Sequence, residues 1–428
     1  MKALAAVLLA CGCWAAPQGD PLAVDTQHPR LFLTPARLRL LKRERERNSA
    51  RWRGLDGVAN GAFARALQYQ VSGDAAVGRQ AVASALAGSD LREMALVFDW
   101  CRDLPTDAQR SELAGRIAKA MAAEAPNESV PAVSARTLAA LAIYGEYPDA
   151  PEVELNWVVH TWWEGRMAPA LKAGKDVIPR DDALPLFELL HAVRDATGID
   201  LRKDCPHYFL NLPAERLMSY YPAAYKGPSN SFRAGAERTA GAPEPQRAAR
   251  SRAADLAMVA LDPDAPESQA LQGWLMHDPF AMRDAPGAPY EFLWANPYQP
   301  GLSYYHLPLA YYDEVFGKLF VRSSWDDSAT WLGCWDGAVQ KFANGRAAAL
   351  TPEAAVPERF DAAVVMFGAH GFRIKLDHAQ RLFVAALEPR RAYRVEIEGR
   401  KPFDAAADPG GILELHPPEG KDVKVTIR

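Results

Sequence analysis

Cysteine is scarce in this chain: there are five in 428 residues, and two of them, Cys11 and Cys13, fall close to the N-terminus. Cys101, Cys205 and Cys334 cannot all pair, and their spacing matches no metal-binding motif. A disulfide scaffold is therefore excluded, which leaves buried free thiols with room for one bridge at most. Long apolar runs are missing as well. No segment after the leader approaches the roughly 20 apolar residues of a membrane-spanning helix. Blocks of like charge are also absent. With 49 basic and 53 acidic residues the net charge is −4, and nothing forms an electrostatic footprint for nucleic acid. The most basic stretch, Arg37 to Arg51, has acids and apolar residues interleaved and reads as a solvated helix face rather than an anion site.

What is present begins with the leader. Lys2 precedes the apolar run Ala3 to Ala10, and small residues follow to Ala16. This is the pattern of an export signal over residues 1–16, cleaved after Ala15 or Ala16. Leu8-Leu9-Ala10-Cys11 also fits a lipobox, in which Cys11 carries a lipid and anchors the mature chain. The expected location is periplasmic, extracellular or, as a lipoprotein, at the outer membrane.

From Thr34 to Met276 the apolar residues recur with helical spacing. Thr34-Pro35 supplies a cap and a first-turn proline. Ser89-Asp90 opens a helix over Leu91 to Trp100, and Thr106 another over Asp107 to Ala122. Helices are expected over Ala132 to Tyr144, Val153 to Ala173, Ala183 to Thr197 with Gly198 as its stop, Ala214 to Tyr221, and Ala248 to Leu261. Gly227 to Gln246, rich in Gly, Pro, Ser and Arg, reads as a long loop. After Pro300 the period shortens to two. Strands are expected over Lys318 to Ser323, Thr330 to Cys334, Ala362 to Phe367, Phe372 to Leu376, Leu382 to Ala386, Tyr393 to Ile397, Ile412 to Leu415 and Val423 to Ile427, with turn residues between them. The fold class is multidomain: α, residues 17–300, then an antiparallel β-sandwich, residues 301–428.

Several stretches resemble the heparinase II/III-like and alginate-lyase-like polysaccharide lyases. His28 to Pro35 (HPRLFLTP) is similar to that family's opening, and Ala95 to Trp100 with Leu104, Gln109 and Arg110 to its early helical hairpin. Ala196 to Asp200 is similar to a helix end, and Gly317 to Trp325, running on to Gly337, to the first sandwich hairpin. The resemblance implies an (α/α) toroid carrying a sugar cleft, with the sandwich packed against it, and β-eliminative cleavage of a polysaccharide containing uronic acid. Where the family has a His-x-His-x-x-Asp-like run, however, this chain has Asp336 to Gly345 (DGAVQKFANG). The Asn-His pair is absent from Ser129 to Arg136, and the tyrosine-bearing stretch from Gly174 to Leu186. No metal and no cofactor is expected.

The residues that remain still offer candidates. Elimination needs a group to neutralise the carboxylate, a base and an acid. Asn156 and His160 stand four apart on one helix, with Trp163 nearby, as a neutraliser and a base. Ser303 to His306 (SYYH) brings Tyr304 and Tyr305 to the domain junction, where one phenol would act as base. Arg180 and Arg322 are candidate carboxylate binders, although an ion pair of Arg322 with Asp326 or Asp327 is the simpler reading. Asp181, Asp182 and Glu188 are the carboxylates of a weaker alternative, a toroid glycoside hydrolase; Asp181 or Asp182 serves more simply as an N-cap. Trp325, Trp331 and Trp335 flank the Asp326-Asp327-Ser328 corner. Alternation puts Trp331 and Trp335 on one face, and the expectation is that one or two of the three fill the sandwich core. Two classes of function follow: a lyase acting on an acidic polysaccharide, or a catalytically degenerate relative that binds the glycan without cutting it.

Overall fold

The computed structural model describes residues 22–227, 231–237, 243–278, 282, 287–351, 356–377 and 379–428. The expected export signal and Cys11 lie outside the described residues. Helices occupy the chain from Pro35 to Trp294, and the large sheets run from Ala310 to Ile427. No helix among the described residues is long and apolar enough to cross a membrane.

Side chains fix the helix starts. Thr34, Ser49 and Asp90 each accept a hydrogen bond from a first-turn backbone N–H, and Thr106 and Gln109 cap one another reciprocally. Gly198, at φ 75°, closes the helix Ala183–Thr197 in a left-handed turn that a side chain would strain. Helices Ala62–Ser72, Leu91–Trp100, Val130–Ile143, Ala183–Thr197, Pro245–Leu261 and Ala288–Trp294 pack each on the next, and the last returns to the first. Of these, Ala183–Thr197 and Pro245–Leu261 run the same way. Arg180 meets Ser251, and further along His191 meets Ala257 and Arg194 meets Leu261.

Three helical expectations need correction. The helix expected from Ala214 begins at Pro206, because Pro213 lies inside it and disguises its first half. Over Trp157–Met167 the backbone is a π-helix, wider than the α-helix that the apolar spacing predicts. Part of Gly227 to Gln246 is ordered: Ser231–Phe232 pairs with Tyr225–Lys226, and a helix begins at Pro245.

The sheets differ from a two-layer antiparallel sandwich. The first is a five-stranded antiparallel meander: Ala310–Asp313, Lys318–Arg322, Trp331–Trp335, Ala338–Ala343 and Arg346–Ala349. The second has four strands, and its pair Ala363–Phe367 and Arg381–Ala385 is parallel. The third, with Gly371–Ile374, Ala392–Ile397, Phe403–Ala406 and Val423–Ile427, is antiparallel. One core joins the first and second sheets through Leu319, Val321, Leu332, Val365 and Phe383, and another joins the second and third through Val364, Val384, Val395 and Val425. The middle sheet is thus covered on both faces. That is why Ala363–Phe367 and residues 382–385 read as unbroken apolar runs, whereas Val423–Ile427 alternates. Such runs carry no sign of direction, and so the parallel pair went unseen.

The outer face of the first sheet meets the helices, and this overturns the expectation for the tryptophans. Trp331 and Trp335 do share a face, with Phe320 and Phe342, but they pack on the helical side; Trp331 donates to the Met218 carbonyl at 2.8 Å. Gly333 lies between them. A Cβ there would come within 2.3 Å of the Trp331 ring. Gly333→Ala is therefore expected to destabilise the protein by about 1–3 kcal/mol through overpacking, measured by denaturant unfolding.

The same face carries Lys318, whose ammonium is 2.9 Å from Asp176 and 2.8 Å from Glu215. Burial would push this amine down, but the two carboxylates outweigh it and its pKa is raised. Lys318→Met leaves both acids side by side without the cation between them. The expected loss is about 3 kcal/mol in the same unfolding measurement.

Candidate functional site

The helices and the first sheet meet around a pocket of about 210 Å³. Arg322 and Trp325, at the end of Lys318–Arg322 and in the turn after it, form its sheet-side wall. Trp274 and His277 come from the helix Pro266–His277, and Tyr304 and Tyr305 from a single 3₁₀ turn. Tyr220, Arg233, Asp326 and Asp327 complete most of the lining. Its Tyr220 wall lies beside the middle of Pro245–Leu261, at Ser251 and Asp255.

Arg322 is buried, only 3% exposed, with its guanidinium over the Trp325 ring at 4.2 Å from the centroid. Among the described residues no carboxylate pairs with it, and its Nε has no hydrogen-bond partner. The simpler reading of Arg322 fails for a visible reason: Asp327 is bound by Arg233 at 2.9 Å, and Asp326 accepts from Ser324 at 3.0 Å. Burial, reinforced by the nearby Arg233, pushes the Arg322 guanidinium down to about 10. It stays charged at neutral pH but lacks a counter-ion. An anion entering the pocket would supply one.

Tyr304 stacks on Tyr305 at 4.5 Å, and its ring edge meets Trp325 at 5.3 Å. Burial and the hydrogen bond with Tyr305 push its phenol well above the ordinary range. Both causes disfavour a phenolate at Tyr304 and favour its protonated, donating form. His277 stands at the rim, with its ring 5.8 Å from that of Tyr304.

Behind the pocket wall lies a buried polar cluster. The Tyr220 hydroxyl donates to Asp255 at 2.6 Å, and Arg216 Nε donates to the same carboxylate at 2.6 Å. Arg180 lies over the Tyr220 ring, bonded to Ser219 and Ser251. Its other face is covered by Gly235, where a Cβ would come within 2.1 Å of the guanidinium carbon. Tyr220 is thus clamped from beneath.

Of the residues singled out in the sequence, the structure brings Tyr304, Tyr305 and Arg322 into one pocket. The others lie elsewhere. His160 pairs with Glu164 at 2.9 Å, and Asn156 donates to the Glu152 carbonyl at 3.0 Å, so each is bound to another partner and the two do not act as a pair. Trp163 is fully buried and bonded to the Leu201 carbonyl. Arg180 supports Tyr220 and does not line the pocket. Asp181 is taken by Arg247 and Glu188 by Arg92. Asp182 occupies the N-cap position without a capping bond from its side chain. Cys101, Cys205 and Cys334 are free and buried, and desolvation pushes each of their thiols up to about 12. No group of metal-ligating side chains occurs among the described residues. His277, Arg233 and Trp274 were missed, since each enters the pocket from a separate segment and none belongs to a local motif.

No family model matches the chain, and no curated protein matches it. Among solved structures, one described as a glycoside hydrolase is similar at 12% identity and a TM-score of 0.30, over 86% of this chain and 71% of its own. A GH127 β-arabinofuranosidase is similar at 11% identity and a TM-score of 0.24, over 96% of this chain and 80% of its own. Likeness this slight assigns neither a family nor a substrate.

Proposed function

We propose that the junction pocket binds a uronate unit of an acidic polysaccharide and that the chain cleaves the polymer there by β-elimination. The observation that carries this reading is Arg322, a buried cation with no counter-ion that faces a pocket lined by aromatic rings. A sugar carboxylate would pair with its guanidinium fork, while Tyr304, Tyr305 and Trp325 present ring surface to the sugar. Pairing draws charge from the carboxylate and acidifies the adjacent C–H. His277 takes that proton; the electron pair forms the carbon–carbon double bond as the glycosidic C–O bond breaks, and the Tyr304 hydroxyl protonates the departing oxygen. The helical array is read as an (α/α) toroid over residues 17–300, the stacked sheets as an extended sandwich over residues 301–428, and the protein as exported.

One observation favours binding without cleavage. The stretch Asp336 to Gly345 is the strand Ala338–Ala343 with a tight turn at each end and has no histidine, where the lyases that the sequence resembles carry their metal and catalytic set. Both readings share the carboxylate site, which can be tested directly. Arg322→Gln is expected to weaken binding of a uronate oligosaccharide by roughly ten- to a hundredfold in calorimetry, the scale of a charge-assisted bond. A neutral oligosaccharide of the same length should bind the variant and the wild type equally. Equal losses for both ligands would contradict the assignment.

A further inference from the structure

A second cavity, of about 640 Å³, lies where Ala183–Thr197 and Pro245–Leu261 end, roughly 15 Å along the helices from the junction pocket. It is lined by Arg37, Arg39 and Arg43 of the helix Pro35–Glu46, by Arg194 and Asp195, and by Tyr298. Four guanidinium groups here share one carboxylate. Asp195 lies 3.4 Å from Arg194, and among the described residues Arg37, Arg39 and Arg43 form no ion pair. The stretch that read as a solvated helix face in the sequence thus turns three of its arginines to one cavity.

Helix capping explains part of this arrangement. Arg37 donates to the Leu293 carbonyl at 3.0 Å and lies over the Trp294 ring, and Arg194 donates to the Leu261 carbonyl. Each carbonyl occupies one of the five N–H donors of a guanidinium and neutralises none of its charge. Arg39 caps nothing, and Arg43 rests on the Tyr298 ring at 4.8 Å. Buried His191 adds an acceptor. Its Nε2 lies 2.9 Å from the Ala257 carbonyl and so must carry the proton, leaving Nδ1 a bare lone pair 4.0 Å from Asp195. Two acceptors side by side suit a pair of neighbouring hydroxyl groups, one donating to Nδ1 and the other to the carboxylate.

From this pairing of unneutralised arginines with a hydroxyl-accepting corner, we infer that the cavity is a second ligand site, for a small hydroxylated oxyanion such as a sugar acid or a sugar phosphate. The inference does not depend on the reading of the junction pocket. Glucuronate, glucose 6-phosphate and glucose should be titrated into the full chain, read by calorimetry and by thermal unfolding at matched ionic strength. At least one of the two anions should bind and raise the midpoint, with glucose inert; which anion does so identifies carboxylate or phosphate as the preferred group. In the Arg39→Gln, Arg43→Gln double variant the affinity should drop at least tenfold. Both side chains are exposed, and the unliganded midpoint should match that of the wild type. Arg322→Gln should keep this binding. Absence of binding by either anion, binding retained in the double variant, or binding lost only in Arg322→Gln would overturn the inference.

Discussion

His277→Ala lowers turnover on a uronate polymer by roughly a hundredfold or more, the scale on which a proton-transfer group contributes. Tyr304→Phe produces a comparable loss while preserving the ring contacts with Tyr305 and Trp325. Binding of the oligosaccharide changes little in either variant, because Arg322 still holds the carboxylate. The two roles differ in their response to pH. Burial and Tyr305 raise the Tyr304 pKa, so its acid form persists beyond the ordinary tyrosine value of about 10. Turnover should therefore not fall for want of a proton donor between neutral pH and about pH 10. If a Tyr304 phenolate were the base, turnover would instead climb with pH across that interval. His160→Ala, outside the pocket, leaves turnover unchanged. A hundredfold loss in that variant, with His277→Ala fully active, would move the chemistry to the helix Trp157–Met167.

Asp255→Ala carries the largest expected stability loss, about 3–5 kcal/mol. The carboxylate is fully buried and accepts from both Arg216 and Tyr220. Without it Arg216 becomes an uncompensated buried cation beside Arg180, whose guanidinium burial and Arg216 already push down. Equilibrium unfolding in urea measures the loss, which a change below about 1 kcal/mol would contradict. Asp255→Asn keeps one acceptor for Tyr220 and should fall between the two. Its carbohydrate affinity reports on Tyr220 positioning separately from stability, provided the variant is assayed where it is folded.

Much of the architecture was legible because it is local. Thr34-Pro35, Thr106 with Gln109, and Gly198 mark helix ends through bonds within a turn or two, and the alternation of Val423–Ile427 reports one covered face. What escaped was set by distant partners. The direction of Ala363–Phe367 relative to Arg381–Ala385 leaves no trace in two runs that are apolar apart from Arg381. The third sheet layer shows only in which residues share a core. Tyr304, Tyr305 and Arg322 were found because the SYYH segment and the tryptophan hairpin both fall at the change of period, where helices must meet sheet. His277 ends a helix whose sequence gives no reason to look there, and His160 looked functional only through its spacing from Asn156, whereas the structure pairs it with Glu164.

The central claim is tested most directly by incubating the purified chain with a panel of uronic acid polymers and following ultraviolet absorbance for unsaturated ends, with the Arg322→Gln and His277→Ala variants alongside. The account predicts that absorbance rises with at least one polymer for the wild type and is close to flat for both variants. New reducing ends without any gain in absorbance, or an equal rise in all three proteins, would contradict it.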